Sequence, residues 1–467
     1  MADEQQIRDR YASAGQSHVF DYYDSLNVDE KEKLLSQLDE IQVERLDSLL
    51  KSALEQESAG TSDADIKPFG GPVGRTTDEK LVADCSKVGM EAIAKGQVAA
   101  LVLAGGQGTR LGYDGPKGMY DIGLPSKKSL FQLMAERIKR LETLAGDNNV
   151  IVPFYIMTSP LNHAETEKFW ESHNYFGLGK ENVSFFSQGM LPCMKDDGKI
   201  IMETAGEVAM APDGNGGIYP SMVSSGALAD MEKRGVKYLH VFSIDNALIK
   251  PADPVFMGYC INQGSDCGNK VCWKVDAAES VGVVATRSGK PCIVEYSEIS
   301  KEMAESVDED GRLVYGAGNI CNHFYTIAFI KDKIIPNLGN LYHIARKKIK
   351  YYDGEKKETI TPSANTGLKL ETFIFDVFPF SENMAVLDVD RSMEFAPVKN
   401  KPGSPADSPD TARELISAMS KTFVTAAGGK LTGDESGICE VSPLTSYSGE
   451  GMEEIVQGRK IICPFSL

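Results

Sequence analysis

The feature that most constrains the fold is an apolar run that leads directly into a glycine-rich turn. The run LVLA at residues 101–104 is followed by GGQGTRLG at residues 105–112, and Lys117 stands five residues further on. Backbone N–H groups of such a turn close around phosphate oxygens, because a Cβ atom there would hold the anion away. With the charges of Arg110 and Lys117, the pattern predicts a strand that ends at a site for a nucleoside triphosphate or a sugar nucleotide. The alternative is an ordinary tight turn beside a solvated pair of cations.

The spacing of the glycines separates this loop from two common phosphate-binding loops. Gly106, Gly108 and Gly112 miss the spacing G-x-G-x-x-G, because Leu111 stands where the third glycine belongs. No Gly-Lys pair in the chain is followed by Ser or Thr, which excludes a P-loop. The loop is therefore of another kind, and its glycines alone do not identify it.

Length and composition are those of an ordinary globular protein with an acidic surface. A chain of 467 residues suffices for two or three domains, and its net charge of −18 argues against a nucleic-acid or anionic-membrane partner. No apolar run reaches the roughly 18 residues of a membrane span, and the first residues, MADEQQ, are unlike a signal peptide. We therefore expect a cytoplasmic protein that binds no nucleic acid and no membrane.

The nine cysteines are scattered along the chain, as is typical of a reduced intracellular enzyme. Cys260, Cys267 and Cys272 lie close in sequence, but their spacing fits no zinc site and no histidine is near. We predict that these three are buried thiols.

Hydrophobic periodicity predicts three segments along the chain. Residues 11–58 have helical spacing, and the Gly- and Pro-rich stretch 59–77 is predicted to be a connection. Strand and helix signals then alternate, which predicts a largely parallel sheet with helices on both faces; they lie at residues 98–103, 130–144, 151–157, 164–173 and 183–186. After the Pro-rich residues 402–409, the end of the chain is predicted to be a small α/β cap. The predicted domains are residues 1–95, 96–385 and 386–467.

A further predicted strand, residues 238–244, ends at Asp245 and Asn246. A carboxylate and an amide at the carboxyl end of a buried strand are suited to a hard cation. Capping of the following turn by Asp245 is the alternative.

Several longer motifs, in a fixed order, resemble those of eukaryotic UDP-N-acetylglucosamine (UDP-N-acetylhexosamine) pyrophosphorylases, the UDPGP type 1 family. The likeness extends over essentially the whole chain; its motifs are LAGGQGTRLG at 103–112, PKGMYD at 116–121, QGMLP at 188–192, APDGNGG at 211–217, Asp245-Asn246, VEYSEI at 294–299, AGNI at 317–320 and SYSGEG at 446–451.

The resemblance implies an α/β fold whose central domain is a Rossmann-like, GT-A-like nucleotidyltransferase with a mixed sheet. A helical N-terminal domain and a small α/β C-terminal domain would flank it. The implied reaction joins UTP and N-acetylglucosamine 1-phosphate to give UDP-N-acetylglucosamine and pyrophosphate, with Mg²⁺ required and Mn²⁺ as a substitute. N-acetylgalactosamine 1-phosphate is a further candidate substrate, since it differs only at one hydroxyl. The oligomeric state is not indicated.

The resemblance also assigns roles to individual residues. Arg110, Lys117 and Lys399 would be catalytic, and Asp245 would bind the metal. The nucleotide would be bound by Leu103, Ala104, Gly105, Gly106, Lys117, Gln188, Gly214, Asp245 and Lys369. The sugar would be bound by Asn215, Glu295, Tyr296, Asn319, Phe373 and Lys399.

Each assignment has a structural alternative. Gln188 offers the donor and acceptor that a uracil edge requires, but a surface amide would have the same composition. Asn215 and Asn319 also suit turns. Lys369 and Lys399 could face solvent, and Phe373 could pack in a core.

Three other functions compete with this interpretation. A pyrophosphorylase for UDP-glucose or UDP-sugars would have a similar fold, although we expect another residue after its double glycine. A sugar-nucleotide sensor would have lost the charge-neutralising residues, whereas Arg110, Lys117 and Asp245 are present. An acidic scaffold would explain the net charge alone. Cys193, after Pro192, is a candidate for a modifiable thiol.

Overall fold

The structure is a computed structural model that describes residues 3–59, 65–146, 149–434 and 436–467. Tertiary contacts group the chain into two units, each assembled from three stretches of sequence. The first unit comprises Met1–Ser62, Gln188–Ser221 and Ile335–Val377, and the second comprises Asp63–Ser187, Met222–Ile334 and Phe378–Leu467. The three consecutive domains that the sequence suggests remain a prediction.

The second unit contains an eleven-stranded mixed sheet. Its main path runs in the order Val73–Arg75, Met384–Asp388, Cys267–Trp273, Ala317–Thr326, Tyr238–Ser243, Val98–Leu103, Phe154–Thr158 and Val183–Ser187. Strand Ala317–Thr326 is antiparallel to both of its neighbours on this path, whereas the other neighbours are parallel. Strands Ile66–Pro68, Val283–Arg287 and Lys290–Val294 branch from this path. The mixed sheet that the resemblance implies is therefore confirmed.

Helices pack against this sheet and enclose one large apolar core. Helix Leu130–Ala145 begins at Ser129, whose side chain accepts from the Gln132 N–H. Its apolar face joins the core of strands Val98–Leu103 and Phe154–Thr158. The helices of the second unit are Glu79–Ala94, Leu130–Ala145, His163–Ser172, Ala227–Lys233, Pro254–Asn262, Lys301–Glu305, Ile327–Phe329, Arg391–Glu394, Pro409–Ala426 and Met452–Val456.

The end of the chain forms a small α/β segment within the second unit. Helix Pro409–Ala426 contributes Ile416 and Phe423 to the large core. Strands Lys430–Gly433 and Lys460–Cys463 form a separate parallel pair. The predicted α/β character of this segment is confirmed.

The first unit joins N-terminal helices to β-hairpins from later in the chain. Helices Glu4–Ser13, Val28–Glu40 and Val43–Ala59 share a core with residues 194–208 and 368–370. Helix Val28–Glu40 begins with a capping box between Asn27 and Glu30. The strands of this unit are Met190–Pro192, Met202–Thr204, Glu207–Val208, Met210–Pro212, His343–Lys347, Tyr351–Asp353, Glu358–Ile360 and Gly367–Glu371, and helix Ile218–Ser224 crosses its boundary.

Most of the predicted elements are found, with small differences at their ends. The strand predicted at 151–157 begins only at Phe154, since Pro153 has no N–H to donate to a neighbouring strand. The predicted connection 59–77 falls partly, at 60–64, outside the described residues. The rest of it contains the two edge strands Ile66–Pro68 and Val73–Arg75, where prolines are tolerated.

Candidate functional site

The glycine-rich turn is a closed loop at the carboxyl end of a fully buried strand. Every residue of Val98–Leu103 is buried. The Gly108 N–H donates to the Gly115 carbonyl at 2.8 Å, and the Lys117 N–H donates to the Gly106 carbonyl at 3.1 Å. These bonds fold residues 106–117 back on themselves, so that Lys117 lies beside the start of the loop.

The buried side chain of Asn162 holds the start of this loop by hydrogen bonds to its backbone. The Asn162 amide donates to the Ala104 carbonyl at 3.0 Å and to the Gly106 carbonyl at 3.4 Å. Its Oδ1 accepts from the Ser159 N–H at 2.8 Å. No pattern in the sequence indicates this role, because an asparagine before a helix is an ordinary cap residue.

Gly106 differs from Gly108 and Gly118 in what surrounds it. Among the described residues, a Cβ atom at Gly106 would meet no atom within 4 Å, whereas one at Gly118 would lie 2.2 Å from the Phe131 ring and one at Gly108 would lie 2.7 Å from the Tyr113 ring. Packing therefore requires glycine at 108 and 118 but not at 106. The open face of Gly106 is free for a ligand to approach the backbone.

Lys117 lies among charged side chains that the sequence singled out. Burial lowers the pKa of Lys117, the charges of Lys399 and Arg110 lower it further, and the charge of Asp245 raises it. Arg110 and Lys399 are exposed, and Lys117 and Asp245 are half-buried. The structure thus brings together four predicted residues from three distant parts of the chain, with three cations and one carboxylate.

Hydrogen bonds join the segment that carries Asp245 to the one that carries Lys399. The Val398 N–H donates to the Asp245 carbonyl at 2.9 Å, and the Ala247 N–H donates to the Ala396 carbonyl at 3.0 Å. The Lys399 N–H in turn donates to the Asp407 carbonyl at 2.7 Å. Asn246 is buried and bonds within the protein, so of the predicted pair only Asp245 is available to a cation.

Cys321 is a neighbour of this cluster that the sequence analysis missed. It lies in strand Ala317–Thr326 where the pairing with Cys267–Trp273 shifts, and its φ is +54°. Burial and the charge of Asp245 raise the pKa of Cys321 to about 12, against the effect of Lys399. Bulges of this kind are common beside active sites, but they leave no pattern in a single sequence.

Two of the predicted sugar-binding residues lie around one glycine in the second unit. The Asn319 N–H donates to the Gly282 carbonyl at 2.8 Å, and a Cβ atom at Gly282 would lie 3.0 Å from Glu295 Oε1. Burial, and to a lesser degree the charge of Glu298, raises the pKa of Glu295. Tyr296 is 54% exposed. This arrangement offers a carboxylate and an amide to hydroxyl groups of a ligand.

The remaining predicted residues belong to the first unit. Gly214 has a φ of +90°, and a Cβ atom there would lie 2.2 Å from the Thr372 carbonyl oxygen. Asn215 Oδ1 accepts from the Ile374 N–H at 2.9 Å. The structure therefore places the loop that holds Gly214 and Asn215 directly against the segment that holds Phe373.

Phe373 stacks on Phe375 at 5.2 Å between ring centres and lies near the His343 ring. Its side chain is only partly buried, so it is available to a ligand as well as to its neighbours. Gln188 and Lys369 are also partly buried. The charge of Lys369 reaches the buried Cys193 thiol and lowers its pKa, but burial has the larger effect and raises that pKa to about 11.

A buried carboxyl group beneath the Gln188 turn was also missed. Asp213 is 5% exposed, and its Oδ1 has no hydrogen-bond partner among the residues that the structure describes. Cβ atoms at Gly189 and Gly217 would lie 2.5 Å and 2.1 Å from its carboxyl oxygens, so a side chain at either position would displace the carboxyl group of Asp213. Burial raises the pKa of Asp213 to about 6. The motif at 211–217 contains this residue, but burial cannot be read from its sequence.

The nine cysteines, all of which lie in the described ranges, form no disulfides, and eight of them are buried. Burial raises the pKa of Cys260 and Cys267 well above the ordinary value and that of Cys272 to about 12, which confirms the prediction of buried thiols. Cys193 is 2% exposed. With its pKa raised as well, this environment is the opposite of one that favours a modifiable thiolate.

Among the described residues, no three or more His, Cys, Asp or Glu side chains are grouped as a metal site. Mg²⁺ often binds through one or two carboxylates and the phosphates of a substrate. Asp245 fits this mode: in the described ranges no hydrogen bond or ion pair engages its half-buried carboxylate. In the same ranges, no helix is both long and apolar enough to cross a membrane.

Comparisons with known proteins show which family this chain resembles. The sequence profile of the family described as UTP–glucose-1-phosphate uridylyltransferase matches residues 48–457. A probable UDP-N-acetylglucosamine pyrophosphorylase of Dictyostelium discoideum is 43% identical over 478 residues, which cover 99% of this chain and 97% of the relative. The UDP-N-acetylglucosamine pyrophosphorylase of Saccharomyces cerevisiae is 42% identical over 97% of both chains.

Among solved structures, that of the uridine diphosphate N-acetylglucosamine pyrophosphorylase of Trypanosoma brucei, in complex with an inhibitor, is 32% identical. It matches with a TM-score of 0.85 over 97% of this chain and 95% of the other. A UDP-glucose pyrophosphorylase of Leishmania major shares the fold at 17% identity and a TM-score of 0.62, over 90% of this chain and 87% of the other. On this family match and on the relatives that span its length, the chain belongs to the UTP–glucose-1-phosphate uridylyltransferase family.

Proposed function

We propose that this protein is a uridylyltransferase that converts UTP and N-acetylglucosamine 1-phosphate to UDP-N-acetylglucosamine and pyrophosphate. The observation that carries the proposal is the group of Arg110, Lys117, Lys399 and Asp245 beside the open face of Gly106. The curated relatives that match nearly the whole chain are named for this activity. The substrates and products are therefore small anions, in agreement with a local group of cations on an acidic protein.

The reaction brings two anions together, so charge neutralisation and positioning dominate its energetics. A sugar-phosphate oxygen forms a bond to the α-phosphorus of UTP, and the bond to the departing pyrophosphate breaks in line. Lys117, whose ammonium is partly removed from water, would neutralise charge at the α-phosphate more strongly than a fully hydrated lysine. Arg110 would bind the departing pyrophosphate, and Lys399 the sugar phosphate.

The other residues would bind and orient the substrates. The backbone of Leu103, Ala104, Gly105 and Gly106, with Lys369, would bind the nucleotide, while Gln188 and Gly214 would contact uracil. Asn215, Glu295, Tyr296, Asn319 and Phe373 would surround the N-acetylated sugar. Glu295 supports this assignment, because a partly desolvated carboxylate is a strong acceptor for sugar hydroxyls.

A divalent cation fits at Asp245, and we propose that it is Mg²⁺, with Mn²⁺ as a substitute. When bound, it would supply positive charge to the phosphates of the nucleotide. Asp245 would hold it from the end of strand Tyr238–Ser243, within reach of the charge of Lys117. We also propose a cytoplasmic location, which is supported by the nine cysteines that form no disulfides in the described residues.

The test is release of pyrophosphate from UTP with the 1-phosphates of N-acetylglucosamine, N-acetylgalactosamine, glucose and galactose, each with and without a chelator. We expect metal-dependent release that favours the N-acetylated sugars. Preference for glucose 1-phosphate would make the protein a UDP-glucose pyrophosphorylase. Binding of UDP-sugars without any release would make it a sensor.

A further inference from the structure

A buried group of charges lies in the second unit, outside the proposed substrate contacts. Lys270 is 0% exposed in the middle of strand Cys267–Trp273. Its ammonium donates to Glu394 Oε2 at 2.6 Å and also to Asp253. Glu394, which is 7% exposed, accepts a second bond at Oε1 from Lys250 at 3.0 Å. Both carboxylates are therefore paired, although burying them costs more free energy than a surface pair would.

Glu394 is directly connected to the segment that ends at Asp245. Its backbone carbonyl accepts from the Asn246 amide at 2.7 Å. Asn246 Oδ1 in turn accepts from the N–H groups of Ala396, at 2.9 Å, and Leu248, at 3.1 Å. One buried asparagine thus joins residues 394–396 to residues 246–248.

The same connection continues to Lys399. Residues 246 and 397 form a β-bridge, and the Val398 N–H donates to the Asp245 carbonyl. Lys399 follows immediately and acts on Lys117 by its charge. The relative position of Asp245 and Lys399 therefore depends on where residues 394–398 lie, and the side chain of Glu394 anchors the start of that segment.

We propose that Glu394 is a positioning residue that, held by Lys270 and Lys250, sets the distance between the metal-binding carboxylate of Asp245 and the ammonium of Lys399. This inference rests on the proposed function of those two residues. Glu394 itself touches no substrate; it acts through Asn246 and the backbone of residues 396–398. Outer residues that orient a ligand of a metal commonly change affinity or activity by about 10-fold or more when they are replaced.

The test compares Glu394→Gln with Lys250→Met and with a matched control, Glu136→Gln. Glu136 is also a buried carboxylate, paired with Lys128 at 2.6 Å, but it lies in helix Leu130–Ala145 and has no bond to residues 394–399. Each variant is assayed for kcat, for the KM of UTP, and for Mn²⁺ binding in the presence of UTP by electron paramagnetic resonance. Hydrogen exchange of the peptides that contain residues 394–399 is measured on the same samples.

We expect Glu394→Gln to lower kcat and weaken Mn²⁺ binding by about 10-fold, with faster exchange at residues 394–399 and little change in the KM of UTP. Lys250→Met, which removes only the outer bond, should have the same effects to a smaller extent and remains informative if the first variant fails to fold. Glu136→Gln should lower thermal stability alone. If Glu394→Gln and Lys250→Met behave like Glu136→Gln, the proposal is wrong.

The proposed function and this inference fail in different ways. If the wild type releases no pyrophosphate with any sugar phosphate, the proposed function is wrong. Exchange at residues 394–399 then still decides whether Glu394 fixes the segment, since that measurement needs no turnover. Unchanged exchange in both the Glu394 and Lys250 variants would overturn the inference whatever the activity.

Discussion

At the scale of single residues, Lys117 lies in an environment that disfavours its own positive charge. A bound phosphate would therefore interact with it strongly. Burial has the largest effect on its pKa and lowers it, and two neighbouring cations act in the same direction. A polyphosphate in the same place would relieve the repulsion among the cations. Lys117 is thus held in a state that an anionic ligand stabilises.

Replacing Lys117 tests this directly. Lys117→Ala should lower kcat by about 10²- to 10³-fold, the loss typical of one preorganised group that faces developing charge. Steady-state pyrophosphate release measures it. Lys80→Ala, at an exposed position of helix Glu79–Ala94, is the control and should leave kcat unchanged. Equal activities of the two variants would remove Lys117 from the mechanism.

Asp213 provides a second prediction, on stability against pH. Burial raises the pKa of the Asp213 carboxyl group in the folded protein to about 6, against 3.8 for an ordinary aspartate. Between these values the unfolded chain binds fewer protons, so Asp213 destabilises the fold progressively as pH rises from about 4 to above 6. Asp213→Asn does not titrate. Relative to the wild type it should therefore gain about 2 kcal/mol in free energy of unfolding between pH 4 and pH 7.5.

Urea unfolding of both proteins at several pH values measures this difference. A difference between Asp213→Asn and the wild type that stays constant with pH would mean that folding does not raise the pKa of Asp213.

At the scale of elements, the loop after strand Val98–Leu103 was predictable because its signals are local. The apolar run, the glycines and the two cations lie within 20 residues, and the alternation around them placed the neighbouring strands and helices. The cluster around Asp245 was different. Its contacts to residues 394–399 join positions about 150 residues apart, and only the resemblance linked them.

Other parts of the candidate site left no local signal at all. Strand register and burial determine three such parts: the bulge at Cys321, the hydrogen bonds from Asn162 to the loop, and the ion pairs of Glu394. Such properties arise from packing between distant segments, so a single sequence does not determine them.

The loop itself carries the third prediction. Gly106→Ala introduces a Cβ atom that meets nothing in the protein, so the melting temperature should change little. The same methyl group would occupy the face that a phosphate approaches, and turnover should fall by about 10²-fold or more. Gly70→Ala is matched, since it too has open space and no positive φ. If Gly106→Ala keeps full activity, the backbone there does not bind the nucleotide.

At the scale of the whole molecule, the N-terminal helices belong to the unit that contains Gln188, Asn215 and Lys369. Twelve buried residues of the shared core come from positions 7–53, and six come from positions 194–208 and 368–370. Strands Met190–Pro192 and Met210–Pro212 adjoin Gln188 and Gly214, the residues of the proposed base-binding loop, and pack Leu191 and Met210 against this core. They therefore depend on helices that begin near residue 4. The helical segment thus shares one core with later segments of the first unit.

Removal of residues 3–59 should consequently unfold the first unit and not leave a shorter protein that still folds. Loss of most of this core exposes a large apolar surface, which favours aggregation. We expect dye binding typical of exposed apolar surface and loss of UTP binding. Leu34→Ala gives a graded version: Leu34 is 0% exposed, and its truncation should cost about 2–5 kcal/mol.

Leu161→Ala, at a leucine that is 72% exposed, is the matched control and should cost little. Urea unfolding of the truncated protein, Leu34→Ala and Leu161→Ala compares their stabilities, and UTP binding is followed on the same samples. Because the core of positions 7–53 supports the hairpins next to Gln188 and Lys369, UTP binding should be lost at lower urea in Leu34→Ala than in Leu161→Ala. A truncated protein that folds and binds UTP like the full chain would instead mean that the hairpins hold the base-binding loop without the helices.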